Sequence, residues 1–558
     1  MKFTYNFLAL AVVLAYSANA SAFTFEGETV SGSFDSTISF GVGVRAKSPS
    51  CGLILKDSSG LAPSGNSQPS GAGAPGGCTE YFSGIGDQGN LNYKKGDFFT
   101  TYLKGSHELL LRFPDEWKFM GRVSWVRDFS ATHASGYRSV GTPPTLGSFP
   151  DEAREDLNFK ARLLDFWVSK DFNIGDQRAR VRVGNQVISW GESLFIPGGI
   201  NQTNSMDLMR LSQPGTQLKE VFLPAPIISF ATGLGNGFNL EAYVQGAWND
   251  NYFPPTGSYW SAVNGMGKGD SAYGLPRKKP KDTNQYGASL RWQPEGTQLN
   301  LGFYAMSYQD KSPQYTYNIL TTGAGGWVFA EDRKLFGLSA NFPLGDWAIG
   351  TELSYRPKDA VSLNPTSATL CAGGKNGHCY VDSKKLQWHL TGMLSMTPGD
   401  YGPILKALGN ASTATFMAEA VVVKYPSLKR FYNGEPIASG AWGFGFENSL
   451  TAPAESAGTR TSMGYNLDFS WVYDGNLIPG WQVIPEIYYF QAVKGRTPNI
   501  MAQFMEGAKS ANFIVSFTQN PSTWQGGINY AKFWGGSRVF DQPYKDRDFF
   551  GAYVSRNF

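Results

Sequence analysis

Arg180, Arg182, Gln186, Trp190 and Glu192 fall on one parity of a short stretch. On an extended strand every second residue shares a face. Two guanidiniums, an amide, an indole and a carboxylate would then stand in a row, with Glu192 just beyond the strand end. Such a row breaks no bonds; where it lines a passage it sorts solutes by charge and hydrogen bonding. The chain runs on into Gly198, Gly199, Asn201, Asn204 and Asp207. Either this segment folds back beside the row and narrows a pore, or its Asn and Asp side chains cap a loop that stays outside. The sequence leaves both open.

Catalysis has a weaker footing. His133-Ala134-Ser135-Gly136 offers a base and a hydroxyl, but a hydrolase also needs a third, orienting group, and this segment falls in a long polar loop. The four histidines, His107, His133, His378 and His389, are scattered. No Gly-rich phosphate loop or metal-ligand cluster is present. The chain reads as a non-enzyme with no cofactor and no metal. Cys51 with Cys78, and Cys371 with Cys379, form two local pairs in Gly/Ser/Asn-rich segments and are expected as disulfides. A zinc site at Cys371, His378 and Cys379 lacks a fourth ligand and the usual spacing.

The elements that would carry these residues are strands. Val30, Gly32, Phe34, Ser36, Ile38, Phe40, Val42 and Val44 alternate with a polar or glycine set through Arg45, and the period returns along the chain. Segments around Trp117–Trp125, Phe238–Val244, Tyr286–Trp292, Trp347–Tyr355 and Met463–Trp471 each carry one apolar and one polar face. Aromatic residues make up 15% of the chain and there are 66 glycines; both suit a barrel with aromatic girdles and crowded bends. The net charge of +3 leaves no nucleic-acid footprint.

Residues 1–22 read as a secretory signal. Lys2 precedes an apolar run from Phe7 to Ala15, and cleavage is expected after Ala22 or Ala20. That run is too short to span a bilayer, and no other stretch is a transmembrane-helix candidate. A strand protein can cross lipid only as a closed barrel, because no backbone group may be left unpaired there. The expected fold is therefore all-β: a transmembrane antiparallel β-barrel over residues 23–558 in a bacterial outer membrane.

Turn signals set the count. Tight links at 114–116, 173–176, 233–237, 294–296, 345–346 and 478–480 alternate with long loops, among them 47–96, 130–156, 192–216, 250–282, 358–384 and 426–459. This predicts about 18 strands, in a range of roughly 16–18, with short turns and both termini periplasmic. The 497–520 region alternates poorly. Inward residues on other strands would be Arg122, Glu241, Gln245, Arg291, Glu352 and Arg356. Ile404, Leu405 and Leu408, in an unusually long link at 398–411, suit a short amphipathic helix, either a packed turn or a docking point for a periplasmic partner. Arg277, Lys278, Lys279 and Lys281 cluster in one outer loop, to pair with lipopolysaccharide phosphates or to capture an anionic solute.

The terminal Phe558 on the outward parity resembles the assembly signal read by the barrel-assembly machinery, with Arg556 departing from the usual apolar series. The 180–226 stretch carries a family resemblance. Gly184, Gln186, Trp190-Gly191-Glu192, Ile200-Asn201, Pro214-Gly215, Lys219-Glu220 and Leu223-Pro224, together with Asp546-Arg547-Asp548-Phe549, resemble the Gram-negative outer-membrane family called domain of unknown function 1302. The resemblance implies a porin-like barrel without catalytic residues, often accompanied by a periplasmic lipoprotein-like partner and an inner-membrane efflux-type transporter. Three functions follow as expectations: a channel for a small amphipathic or hydrophobic solute, with Arg180–Asp207 at its constriction; the outer-membrane part of a lipid-trafficking assembly; or a structural or adhesive barrel.

Overall fold

The computed structural model describes residues 23–50, 53, 87–134, 149–213, 215–318, 324–363, 371, 373–429, 431–432, 435–437, 458–537 and 541–558. Among them eighteen antiparallel strands close a barrel, and a nineteenth, short strand at Phe23–Glu26 pairs with the start of the first. The first nine are β1 (Ser31–Arg45), β2 (Phe98–Arg112), β3 (Trp117–Asp128), β4 (Phe159–Ile174), β5 (Gln177–Gln186), β6 (Ala225–Gly235), β7 (Phe238–Gln245), β8 (Tyr286–Trp292) and β9 (Asn300–Tyr308). The second nine are β10 (Arg333–Leu344), β11 (Trp347–Ser362), β12 (Tyr380–Met396), β13 (Thr413–Lys424), β14 (Thr461–Asp474), β15 (Trp481–Lys494), β16 (Ala508–Gln519), β17 (Trp524–Gly535) and β18 (Phe549–Asn557). Each strand pairs with the next, and β18 pairs with β1 from Thr37↔Asn557 to Arg45↔Phe549. Phe558 completes the seam by exchanging backbone hydrogen bonds with Ser36. No helix among the described residues is long and apolar enough to cross a membrane. The proposed signal segment and the pair Cys51 and Cys78 lie outside the described residues.

The alternation read from the sequence is the alternation of the wall. Leu338 on β10 is 52% exposed and Val244 on β7 is 59% exposed, whereas Ser339 and Gln245 beside them are buried. A surface this apolar is matched by lipid rather than water. With every strand paired and no free edge, the molecule is an outer-membrane β-barrel. Arg556 shows how an outward cation is tolerated: its guanidinium stacks 5.3 Å from the Trp524 ring and 4.9 Å from that of Phe558.

Short links and long loops alternate at the two rims, and β1 begins and β18 ends at the short-link rim. The long loop after β5 runs from 187 to 224, beyond the expected 192–216, because β5 ends at Gln186 and β6 begins only at Ala225. Conversely, β11 and β12 continue into the expected 358–384 loop, where the ladder Asp359↔Ser383 to Ser362↔Tyr380 outlasts the sequence alternation. The Cys371–Cys379 disulfide closes what remains of that loop. The poorly alternating 497–520 region holds β16, regular from Ala508 onward.

The long link between β12 and β13 is helical over Pro398–Ala407. Leu405 packs on Leu394, Met396 and Ala414, with Trp347, Phe416 and Trp471 around them. This seats the helix on the barrel wall and leaves Ile404 exposed.

The facing assignment predicts an asymmetric pair of variants. Leu338→Arg should impair membrane insertion, at a cost of about 2–4 kcal/mol near the bilayer midplane. Ser470→Arg, on the inner face of β14, should leave the heat-modifiable folded band intact. Equal behaviour of the two on gels would show that the faces are reversed.

Candidate functional site: a loop folded across the lumen

The 187–224 loop enters the barrel. Its first half reaches the wall formed by β10 to β13. There Glu352 on β11 accepts hydrogen bonds from the backbone N–H groups of Glu192 (2.6 Å) and Ile200 (2.9 Å). Glu419 on β13 accepts from those of Phe195 (2.5 Å) and Ile196 (2.8 Å). Both carboxylates are buried. A buried carboxylate is costly unless its oxygens are satisfied, and here four loop N–H groups do so. His389 on β12 lies between them, its Nδ1 2.7 Å from Glu419 and its Nε2 2.8 Å from Gln387. Arg356 donates to the carbonyls of Gly198 and Gly199. Gly191 and Gly199 let the backbone come this close, since a Cβ at either position would strike the Glu352 carboxylate, and Gly191 also holds φ at +92°.

The second half of the loop is held on the other flank. Lys104 on β2 bridges Glu220 (2.7 Å) and donates to the Gly215 carbonyl (3.0 Å). Arg162 on β4 pairs with Asp207, and Arg210 lies 3.6 Å from Glu220. The loop therefore spans the lumen from the β10–β13 wall to β2 and β4.

This placement redefines the sequence-predicted residues. Trp190 does not line open water. It is 3% exposed, packed among Ile200, Tyr243, Tyr304 and Met306, and donates to Glu241 at 2.6 Å. Gln186 is buried against β6, bonded to Ile227 and Ser229. Asp207, Gln245, Glu352 and Arg356 are likewise inward but covered. Glu192 accepts from Asn341 (3.1 Å) and has Arg291 as an electrostatic neighbour; burial raises its carboxyl above the ordinary range. Asn204 donates to the Ile188 carbonyl and to Asn201, folding the loop on itself. Of the two alternatives open in the sequence, the loop takes the first: it folds inward, and Asn204 closes it on itself there rather than outside.

Other charged residues of the row stay toward the lumen. Arg180 bridges Asp171 at 2.5 Å, which Lys118 (2.7 Å) and Arg178 (3.2 Å) also reach. Arg182 stacks on Trp167, 4.2 Å from the ring. Arg122 bridges Glu108 and Asp165.

The free wall lies elsewhere, on β14 to β18. A cavity of about 550 Å³ runs between the loop (Phe195, Arg210, Leu211) and wall residues including Asp468, Glu486, Tyr488, Asn512 and Asn529. A second cavity of about 400 Å³ is lined by Gly198, Asn201, Gln202, Arg356, Asn499 and Gln503 among others. The two share Phe195 and Tyr488, whose rings meet edge to face with centroids 5.6 Å apart. Parity marks Asp468 as inward, but nothing in the sequence tells which inward residues the loop leaves uncovered.

A second long loop, 246–285, leaves the same long-loop rim and crosses toward β2 and β18. Tyr259 and Trp260 pack on Phe99 and Phe549, and Arg547 donates to the Tyr259 and Ser261 carbonyls while pairing with Asp87. The Asp546-Arg547-Asp548 stretch is therefore a structural lock among loops. His133 lies in the loop after β3, and Ser135 lies outside the described residues.

A family model described as protein of unknown function DUF1302 matches residues 4–558. The chain belongs to this family. No curated protein matches it. Among solved structures, the DUF1302 chain is similar to OccAB1 of Acinetobacter baumannii (9% identity, TM-score 0.43, covering 94% of this chain and 96% of that one). It is also similar to OpdK of Pseudomonas aeruginosa, solved with vanillate (10%, 0.41, 94% and 98%). A third is a BenF-like porin from Pseudomonas fluorescens Pf-5 (10%, 0.41, 94% and 98%).

Two predictions follow from how the loops are held. Glu352→Ala and Glu419→Ala each strip two backbone N–H groups of their acceptor, at roughly 1–3 kcal/mol per group left unpaired. The double variant should keep its barrel while proteases cut within 187–224; a loop as resistant as in wild type would remove the carboxylates as anchors. Lys311, buried beside Asn249, has its ammonium pushed down to about 7 by burial. Between about pH 7 and the ordinary lysine range the folded amine is neutral while the unfolded one is still charged. Local packing should therefore strengthen as pH rises through that window. Lys311→Met should abolish the dependence, read as loop cleavage rate against pH relative to a peptide standard.

Proposed function

We propose that this barrel is a passive outer-membrane channel for small amphipathic solutes, with the 187–224 loop as its constriction. The observation that carries the reading is a loop anchored on two flanks that leaves one wall free, with a cavity on each side of a single aromatic contact, Phe195–Tyr488. Apolar side chains (Phe195, Leu211) face amides and carboxylates (Asn512, Asn529, Asp468, Glu486) across the larger cavity. Such a passage wets both ends of an amphipathic molecule and rejects neither, since aromatic faces take the apolar part and side-chain amides the polar part. Acidic residues on this wall and the cationic group around Asp171 on the other give the lumen both signs, which disfavours strong selection of one ion type.

Reconstitution in planar bilayers tests the route. Phe195→Ala with Tyr488→Ala should raise single-channel conductance, whereas Trp190→Phe, buried beneath the loop, should change it little. Conductance unaffected by loss of both rings would place the passage elsewhere.

A further inference from the structure

Four lysines from three segments of the chain meet at one place near the long-loop rim. Lys278 and Lys279 come from the 246–285 loop, Lys358 from the end of β11, and Lys375 from the loop closed by Cys371–Cys379. They line a cavity of about 510 Å³. With Arg333, five cationic side chains face three carboxylates there, those of Glu331, Asp332 and Asp382.

The carboxylates are already engaged. Asp382 is bridged through one oxygen by Arg333 and through the other by Lys375 at 3.3 Å. Glu331 accepts the Lys281 backbone N–H, and Asp332 accepts from Asn284. Lys278, Lys279 and Lys358 have no ion-pair partner among the described residues. Like charges gathered in a concave site raise one another's energy, and an anion relieves that cost.

The scaffold beneath is rigid. Lys278 pairs in parallel with Val328, which is buried. Lys358 stands where the β11–β12 ladder shifts register between Arg356 and Asp359, and a bulge of this kind re-aims a side chain. His378 is fixed through Nδ1 on Thr316 (2.9 Å), and burial together with Lys278 lowers its imidazole below the ordinary range. The positive charge of the cavity therefore comes from its lysines and arginine.

We propose that this cavity is a binding site for a phosphorylated saccharide, with Lys278, Lys279 and Lys358 on the phosphate and the Glu331 and Asp332 carboxylates accepting sugar hydroxyls. The same chemistry is offered by a lipopolysaccharide headgroup and by a free sugar phosphate. The lysines give charge-assisted contacts that a neutral sugar cannot use.

The test uses the full chain in mild, phosphate-free detergent. Glucose 1-phosphate and glucose are titrated by calorimetry, and lipopolysaccharide retained through purification is measured by phosphorus content. The expected result is saturable binding of a phosphate-bearing species, with glucose inert, weakened about tenfold by each of Lys278→Gln, Lys279→Gln and Lys358→Gln. Saturation by glucose 1-phosphate assigns the free solute. Retained lipopolysaccharide lost in the triple variant, with glucose 1-phosphate inert, assigns the lipid headgroup. Binding of neither species overturns the proposal. So does binding unchanged in a triple variant that keeps its heat-modifiable band, or equal weakening by Lys406→Gln on the helix at the opposite rim.

Discussion

A β-strand in hydrocarbon must find a partner for every backbone N–H and C=O, and the β1–β18 seam is where this barrel meets that demand. Closure forces the rest. With the start of β1 and the end of β18 at one rim the strand count is even, the strands alternate between lipid and lumen, and the tight links gather at one rim. Closure also encloses a space wide enough to hold more than wall side chains, and the chain fills much of it with its own loops.

Filling that space poses an electrostatic problem. A loop taken into the lumen brings unpaired backbone donors with it, and the wall meets them with buried carboxylates. Glu352 and Glu419 each take two loop N–H groups, while Arg356 takes two loop carbonyls. Neither side is stable alone: the carboxylates would be buried charges without donors, and the donors would lack acceptors. This mutual satisfaction fixes the loop on the β10–β13 side and so decides that the free wall is β14 to β18.

Charge is distributed with the same economy. Inside, most charged groups are paired, as in the cluster around Asp171 or the Arg122–Glu108–Asp165 group. At the long-loop rim the pairing is incomplete, and lysines from three segments converge on one cavity. The lumen holds charged groups of both signs, whereas the rim concentrates one sign.

The sequence by itself determined the barrel, its strand count, the rhythm of short links and long loops, and which face of each strand meets lipid. These follow from a two-residue period and from turn residues, both local properties of the chain. It also singled out 180–226 as the least generic stretch, while leaving open whether the loop there enters the lumen or stays outside. It did not reveal that Trp190, Gln186, Glu352 and Arg356 would be covered, or that Phe195, Tyr488, Asp468 and Glu486 would line the remaining space. Parity tells only that a residue points inward; what it meets there depends on a loop crossing from one flank of the barrel to the other. That contact joins residues more than 150 positions apart, such as Glu192 and Glu352, and only the closed tertiary structure brings them together.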